Sequence, residues 1–305
     1  MFKRISLFLL VNIAVVLTIS ILLSIFNIQP FLQSYGINYP SLLAFCLIWG
    51  MGGAFISLML SRITAKWMTG AQVVSPKTTD PAQMQIYSTV ERLARAANLP
   101  CTPEVAIFYS EAPNAFATGP TKKRSLVAIS SGLMSKLSKN EVEAVIGHEI
   151  AHIANGDMVT MTLLQGIINA FVMFLARILA FVVSRSGKSE KGSTGSFSMG
   201  SYYLFVFLFE IVFMILGSMI VAFYSRRREF KADKGGATLS STQNMINALN
   251  ALERSSQSVK NQKPAEALEA FMIHSQKRSL LSKLFASHPP ISERIEKLEK
   301  ERFSN

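Results

Sequence analysis

The chain has 305 residues, enough for one or two domains with a packed core. Half of the residues are hydrophobic, only 16% are charged, and the net charge is +12. That composition fits a soluble globular protein poorly. With no base-reading motif, the basic excess points to an anionic membrane surface and not to nucleic acid.

The apolar residues are clustered. Residues 5–26 and 41–60 carry no charge, 158–183 carry only Arg177, and 202–224 carry only Glu210. A helix needs about 20 residues to cross a hydrocarbon core of roughly 30 Å, and none of these runs alternates as a strand does. They predict a multi-pass helical membrane protein with up to four spans. The first run is too long for a signal-peptide core and no small-x-small cleavage site follows it, so it reads as an uncleaved anchor. Lys3 and Arg4 precede span one, Arg62 and Lys66 follow span two, and the loop 27–40 between them is uncharged. This pattern places the N-terminus and the region after residue 61 in the cytoplasm. Arg185, Lys188 and Lys191 in the loop 184–201 run against the same rule for spans three and four. Arg177 and Glu210 are costly inside a bilayer and are expected to pair if those two spans form a hairpin. Cys46 in span two and Cys101 in the polar region lack C-x-x-C spacing, which excludes a thiolate metal site.

Residues 61–80 read as a polar linker ending in S-P-K-T-T-D-P. Residues 84–99 place Ile86, Val90, Leu93, Ala96 and Ala97 at helical spacing. Residues 104–109, 114–118 and 125–130 predict three short strands of a small antiparallel sheet, with G-P-T-K-K-R as a turn. Ser138 and Glu141 form a capping box, so a helix should start near Lys139. Asn155-Gly156 stands at its end. After span four, Gly235-Gly236 should break the helix, and residues 242–252 and 291–303 read as two more. The organisation predicted is a membrane hairpin (1–60), a cytoplasmic region (61–157), a second apolar hairpin (158–224) and a second cytoplasmic region (225–305).

The chemistry lies in V-I-G-H-E-I-A-H, residues 145–152, which holds two of the chain's four histidines. Residues four apart on a helix share one face, about 5–6 Å apart at Cβ. His148 and His152 can therefore direct imidazole nitrogens at one ion. Glu149 can reach a water on that ion, the division of labour in a zinc protease. Zinc lowers the pKa of such a water toward roughly 7, and a glutamate can take its proton.

A catalytic zinc site needs a third protein ligand. The candidates are His274, His288 and the acids after span four. His152 stands six residues before span three, about 9 Å along a helix, and Glu229 five residues after span four, about 7.5 Å. A hairpin of spans three and four would return Glu229 to the depth of His152. Asp233, one turn further on, could hydrogen-bond a histidine ligand. His288, in S-H-P-P, sits in a fixed extended segment from which it could donate to a developing oxyanion.

H-E-I-A-H, R-E-F-K-A-D and S-H-P-P, in that order, resemble the HtpX family of bacterial membrane-bound zinc metalloproteases. These are gluzincins related to the CAAX prenyl endopeptidases. The resemblance covers essentially the whole chain. It implies an α-helical membrane protein with an α+β zincin-like protease domain, mostly α with a small antiparallel sheet. Carried over by position, it implies one Zn2+ per chain held by His148, His152 and Glu229, with Glu149 as the base. It implies Asp233 supporting a histidine ligand, His288 as an oxyanion donor and Arg294 near it. N-A-F-A-T-G matches an edge strand against which substrate is expected to lie, which assigns substrate contacts to Asn114, Ala115, Phe116, Ala117 and Gly119. The family also implies an inner-membrane location with a cytoplasmic active site. Its implied partners are the lipid bilayer and misfolded membrane or unfolded polypeptide substrates, with a stress-response role overlapping an ATP-dependent membrane protease. Prenyl-peptide processing is the nearer alternative, and a non-enzymatic membrane scaffold with a vestigial site is the more distant one.

Overall fold

The structure is a computed structural model that describes residues 38–186, 199–262 and 285–302. The first apolar run, residues 187–198 and His274 lie outside the described residues. Along the chain the elements are α1 (Tyr39–Thr69), β1 (Gln72–Val73), α2 (Pro81–Ala96), β2 (Glu104–Phe108), β3 (Ala115–Thr121), β4 (Arg124–Ser130), α3 (Ser131–Lys136), α4 (Lys139–Asn155), α5 (Asp157–Ser186), α6 (Met199–Leu239), α7 (Thr242–Gln262) and α8 (Ile291–Arg302). They divide into two compact units. One holds residues up to Ile56 with Thr162–Ser218, and the other holds Ser57–Met161 with the residues from Met219 on.

The first unit is helical. Among the described residues three helices are long and apolar enough to cross a membrane: Tyr39–Thr69, Asp157–Ser184 and Gly200–Leu239. Small residues let them touch. A Cβ on Gly50 would lie 2.5 Å from the Ala170 nitrogen, so α1 and α5 pack backbone to backbone there. Leu43, Cys46, Phe174, Ile178 and Phe181 form the buried cluster beside that contact. Arg177 and Glu210 do pair, Nη1 to Oε1 at 2.8 Å, which removes much of the cost of two charges on apolar helices.

The second unit is built on a four-stranded sheet of order β1-β2-β4-β3. The expected antiparallel sheet is in fact mixed. β4 runs antiparallel to β3 but parallel to β2. The reason is visible in the burial of the strands. Six of the seven residues of β4 are buried, the signature of a central strand covered on both faces. β3 is mostly half-buried. The β3–β4 hairpin therefore puts β4 inside, next to β2, and leaves β3 at the edge. Residues 61–80 are likewise not a plain linker: α1 continues to Thr69, and Gln72–Val73 pairs with β2. Arg62 and Lys66 of α1 both ion-pair with Glu104 of β2, the lysine at 2.7 Å.

One face of the sheet packs on α2 and α4. Val90, Leu93, Val127, Ile129, Leu133, Ile146, Ile150 and Leu249 are wholly buried there, each contributing about 1.5–3 kcal/mol relative to exposure. The Gly235-Gly236 pair does not break α6, which runs unbroken to Leu239. These glycines serve a close helix contact instead, and that contact builds the site.

Candidate metal centre

Helix α4 begins at the expected capping box. Ser138 Oγ accepts from the Glu141 amide at 3.4 Å, and Glu141 accepts from the Ser138 amide at 2.8 Å. Val142, Ile146, Ile150 and Ile153 anchor the helix in the core. His148 and His152 are thereby turned toward α6. Backbone-close packing brings α6 to them. A Cβ on Gly236 would stand 3.0 Å from the His148 nitrogen, and one on Gly235 2.5 Å from the Ala151 Cβ. Any larger residue at either position needs the helices to separate. Glu229 and Asp233, four apart on α6, share the face that meets the histidines.

The three expected donors meet. His148 Nε2 is 3.1 Å from His152 Nε2 and 3.5 Å from Glu229 Oε2, and His152 Nε2 is 3.4 Å from Glu229 Oε1. Ligands held at about 2.0–2.1 Å by a tetrahedral ion stand about 3.3–3.4 Å apart, and the three separations are close to that spacing, with each histidine facing a different Glu229 oxygen. Glu229 Oε2 is buried among nitrogens, 2.8 Å from His288 Nδ1, 3.5 Å from His148 Nε2 and 3.7 Å from Arg294 Nη2. A buried carboxylate beside two imidazoles is the donor set that zinc accepts. His148, His152 and Glu229 form a group able to hold a metal ion.

Each histidine also has a carboxylate behind it. Asp233 Oδ1 lies 2.9 Å from His148 Nδ1, and Asp157 Oδ2 lies 2.7 Å from His152 Nδ1. Arg294 of α8 grips Asp233 through both carboxylate oxygens, Nε at 2.7 Å and Nη2 at 2.5 Å. His288 comes in from the S-H-P-P segment, with Nδ1 2.8 Å from Glu229 Oε2 and a largely exposed ring. The structure thus brings Arg294 and His288 to the site, one behind it and one at its rim.

The electrostatics follow from this packing. Burial works to lower the pKa of His148, but the Asp233 and Glu229 carboxylates win and lift it from 6.5 to about 9. Burial alone would raise Glu229. The hydrogen bonds from His148, His152 and His288 overcome this and hold its carboxyl well below the usual range. Glu149 shows the opposite balance: burial pushes its carboxyl up, and the positive field of the two histidines only partly opposes it. A raised carboxyl is the condition a general base needs near neutral pH.

The same glutamate touches the sheet. Ser130 donates its amide to the Asn114 carbonyl at 2.9 Å, and Ala115 pairs with Ile129. Strand alternation then turns the backbone groups of Asn114, Phe116 and Thr118 toward β4, and those of Ala115 and Ala117 toward the open edge. The Ala117 N–H donates to Glu149. Gly119 ends the regular ladder at φ 140, where a side chain would meet the Arg124 carbonyl. From His148, Glu149 and Glu229 a cavity of about 130 Å³ extends toward Asn114 and Ala115, with Leu133, Val145, Met245 and Leu249 as its apolar wall.

Residues 81–302 match the family model "Peptidase family M48". The chain belongs to peptidase family M48. It is 46% identical to Protease HtpX of Idiomarina loihiensis, over 98% of this chain and 100% of that one. It is 45% identical to the Protease HtpX homolog of Bacillus subtilis, over 98% of this chain and 99% of that one. Among solved structures, S. mikatae Ste24p superposes with a TM-score of 0.60 at 17% identity. That match covers 96% of this chain and 66% of the Ste24p chain, and it shows a shared fold. With the three apolar helices, the chain is a membrane-associated M48 metalloprotease.

One polar neighbour of this metalloprotease's donor set escapes the periodicity argument altogether. Asp157 is five residues past His152, off the histidine face of a continuous helix. The only signal in the sequence is the N-G-D step, which allows a helix to stop and restart.

Proposed function

We propose that this M48 protease is a zinc-dependent endopeptidase of the bacterial inner membrane. On this reading its active site faces the cytoplasm, and it cuts misfolded or damaged membrane proteins and unfolded polypeptides in stress-response quality control, overlapping an ATP-dependent membrane protease. The observation that carries the zinc reading is the donor cluster: two Nε2 atoms 3.1 Å apart, each within 3.5 Å of an oxygen of the buried Glu229 carboxylate. The basic, acid-free stretch before Asp80 supports the cytoplasmic orientation.

In this reading His148, His152 and Glu229 hold the zinc. The ion would supply an acidified water and a Lewis acid for the scissile carbonyl. Glu149 takes the proton from the attacking water and passes it to the leaving amine. Burial keeps that carboxyl ready to hold the proton in between. Asp233, clamped by Arg294, fixes the ring of His148. His288 stands at the rim and donates to the oxyanion.

Substrate binds extended on the open edge of β3, through Ala115 and the Ala117 carbonyl, by strand addition. An antiparallel peptide has its C-terminal part toward the Asn114 end of β3. The apolar cavity at that end then takes the side chain that follows the cleaved bond. Its wall of Leu133, Val145, Met245 and Leu249 suits an apolar group such as leucine, methionine or phenylalanine. The test is zinc content and cleavage by the purified full chain. One zinc per chain and chelator-sensitive cleavage of an unfolded polypeptide, restored by zinc, are expected. Cleavage that survives complete zinc removal contradicts the reading.

A further inference from the structure

Asp157 opens α5, the apolar helix that leaves the site. On an unbroken helix it would stand about 140° round from His152, because five steps of roughly 100° overshoot one turn. Gly156 prevents that. It takes the left-handed conformation (φ 67, ψ 37) that closes α4, and α5 starts in a new direction. The turn folds Asp157 back under His152, with 2.7 Å between Oδ2 and Nδ1.

Asp157 is buried, at 7% exposure. Its main-chain carbonyl accepts a hydrogen bond from Arg228 Nη1 at 2.7 Å, and Arg228 immediately precedes Glu229 on α6. One residue therefore touches a histidine donor with its side chain and the neighbour of the glutamate donor with its backbone. A buried carboxylate costs free energy unless it is paired, and capping a helix does not require it to be turned inward onto a histidine. A carboxylate at Nδ1 fixes the proton there, leaves the Nε2 lone pair for an ion and makes the ring more basic.

We infer that Asp157 is the positioning residue of His152, as Asp233 is of His148, an inference that rests on the zinc reading of this site. Both histidines are then aimed from behind by carboxylates belonging to different helices. The second of these sits where the chain passes from α4 into the apolar helix α5.

The test measures zinc affinity by chelator competition on the full chain, for the wild type, Asp157→Ala and Asp157→Asn. Thermal melting in EDTA runs alongside as the readout of a merely structural role. Loss of a partner behind a metal-bound histidine costs about 10–100-fold in metal affinity, and that loss is expected for Asp157→Ala. Asparagine keeps an oxygen at Nδ1 and is expected to recover part of it, with melting in EDTA close to wild type for both. Wild-type affinity in both variants overturns the inference, and so does a loss of affinity matched by an equal loss of metal-free stability. If the wild type itself binds no zinc, the zinc reading fails and the inference falls with it, an outcome distinct from the other two.

Discussion

Gly236 of α6 lies against His148 of α4 so closely that a Cβ would stand 3.0 Å from the histidine's backbone nitrogen. Glu229 and Asp233 reach His148 because of that approach. In Gly236→Ala two effects oppose each other. Alanine favours a helix interior by roughly 1 kcal/mol, while the added methyl pushes α6 away from His148. Zinc affinity is expected to fall, and to fall further in Gly236→Val, even where the metal-free melting temperature holds. Chelator competition on the two variants checks it, and unchanged affinity in both would mean that the close approach has no part in building the site.

The balance of charges around His148 predicts a pH dependence with a definite sign. Its folded pKa, about 9, is above the unfolded value near 6.5. Its proton therefore stabilises the metal-free fold fully below about pH 6.5, and that contribution is lost as the pH climbs through about 9. Zinc must displace the same proton, so zinc binding strengthens over the same range, by up to about tenfold per pH unit. In EDTA the melting temperature should drop between pH 6.5 and 9, and the rise on adding zinc should grow. Parallel melts at both pH values measure this. A zinc-induced rise that shrinks with pH would contradict it.

The apolar cavity at the Asn114 end of β3 sets a preference. In a peptide series varied at the residue just after the cleaved bond, leucine, methionine and phenylalanine should exceed glycine and aspartate. A side chain differing by several methylenes should give at least about tenfold in kcat/KM, since one methylene is worth about 10–200-fold in a fitted pocket. Sequencing the product N-termini gives the direction too. A preference on the preceding residue instead would mean that the peptide lies parallel to β3.

Much of the site is legible in the amino-acid order because helices report their own faces. H-E-x-x-H needs only the period of the α-helix, and the capping box at Ser138 fixes where that helix starts. Glu229 could be reached by measuring along two apolar runs, because a hairpin returns its ends together. What could not be read depends on non-local geometry. β2 and β4 pair in parallel because β4, the second arm of the β3–β4 hairpin, is the one that lies against β2, a choice that neighbouring residues do not announce. Gly235-Gly236 reads as a helix breaker to any local rule, whereas the fold uses it for contact with α4. Asp157 was hidden by a single left-handed residue, which cancels the periodicity that would have excluded it.

The central claim is that Glu149 moves the proton while His148, His152 and Glu229 hold the zinc. Glu149→Gln separates the two, because the amide keeps the shape and loses the base. The decisive measurement is zinc content and cleavage of an unfolded polypeptide by purified Glu149→Gln, beside Glu229→Ala. Glu149→Gln should keep one zinc per chain and lose about 10²–10⁴-fold in rate, while Glu229→Ala should lose the metal. A zinc-dependent rate near wild type in Glu149→Gln, or full zinc in Glu229→Ala, would contradict the assignment.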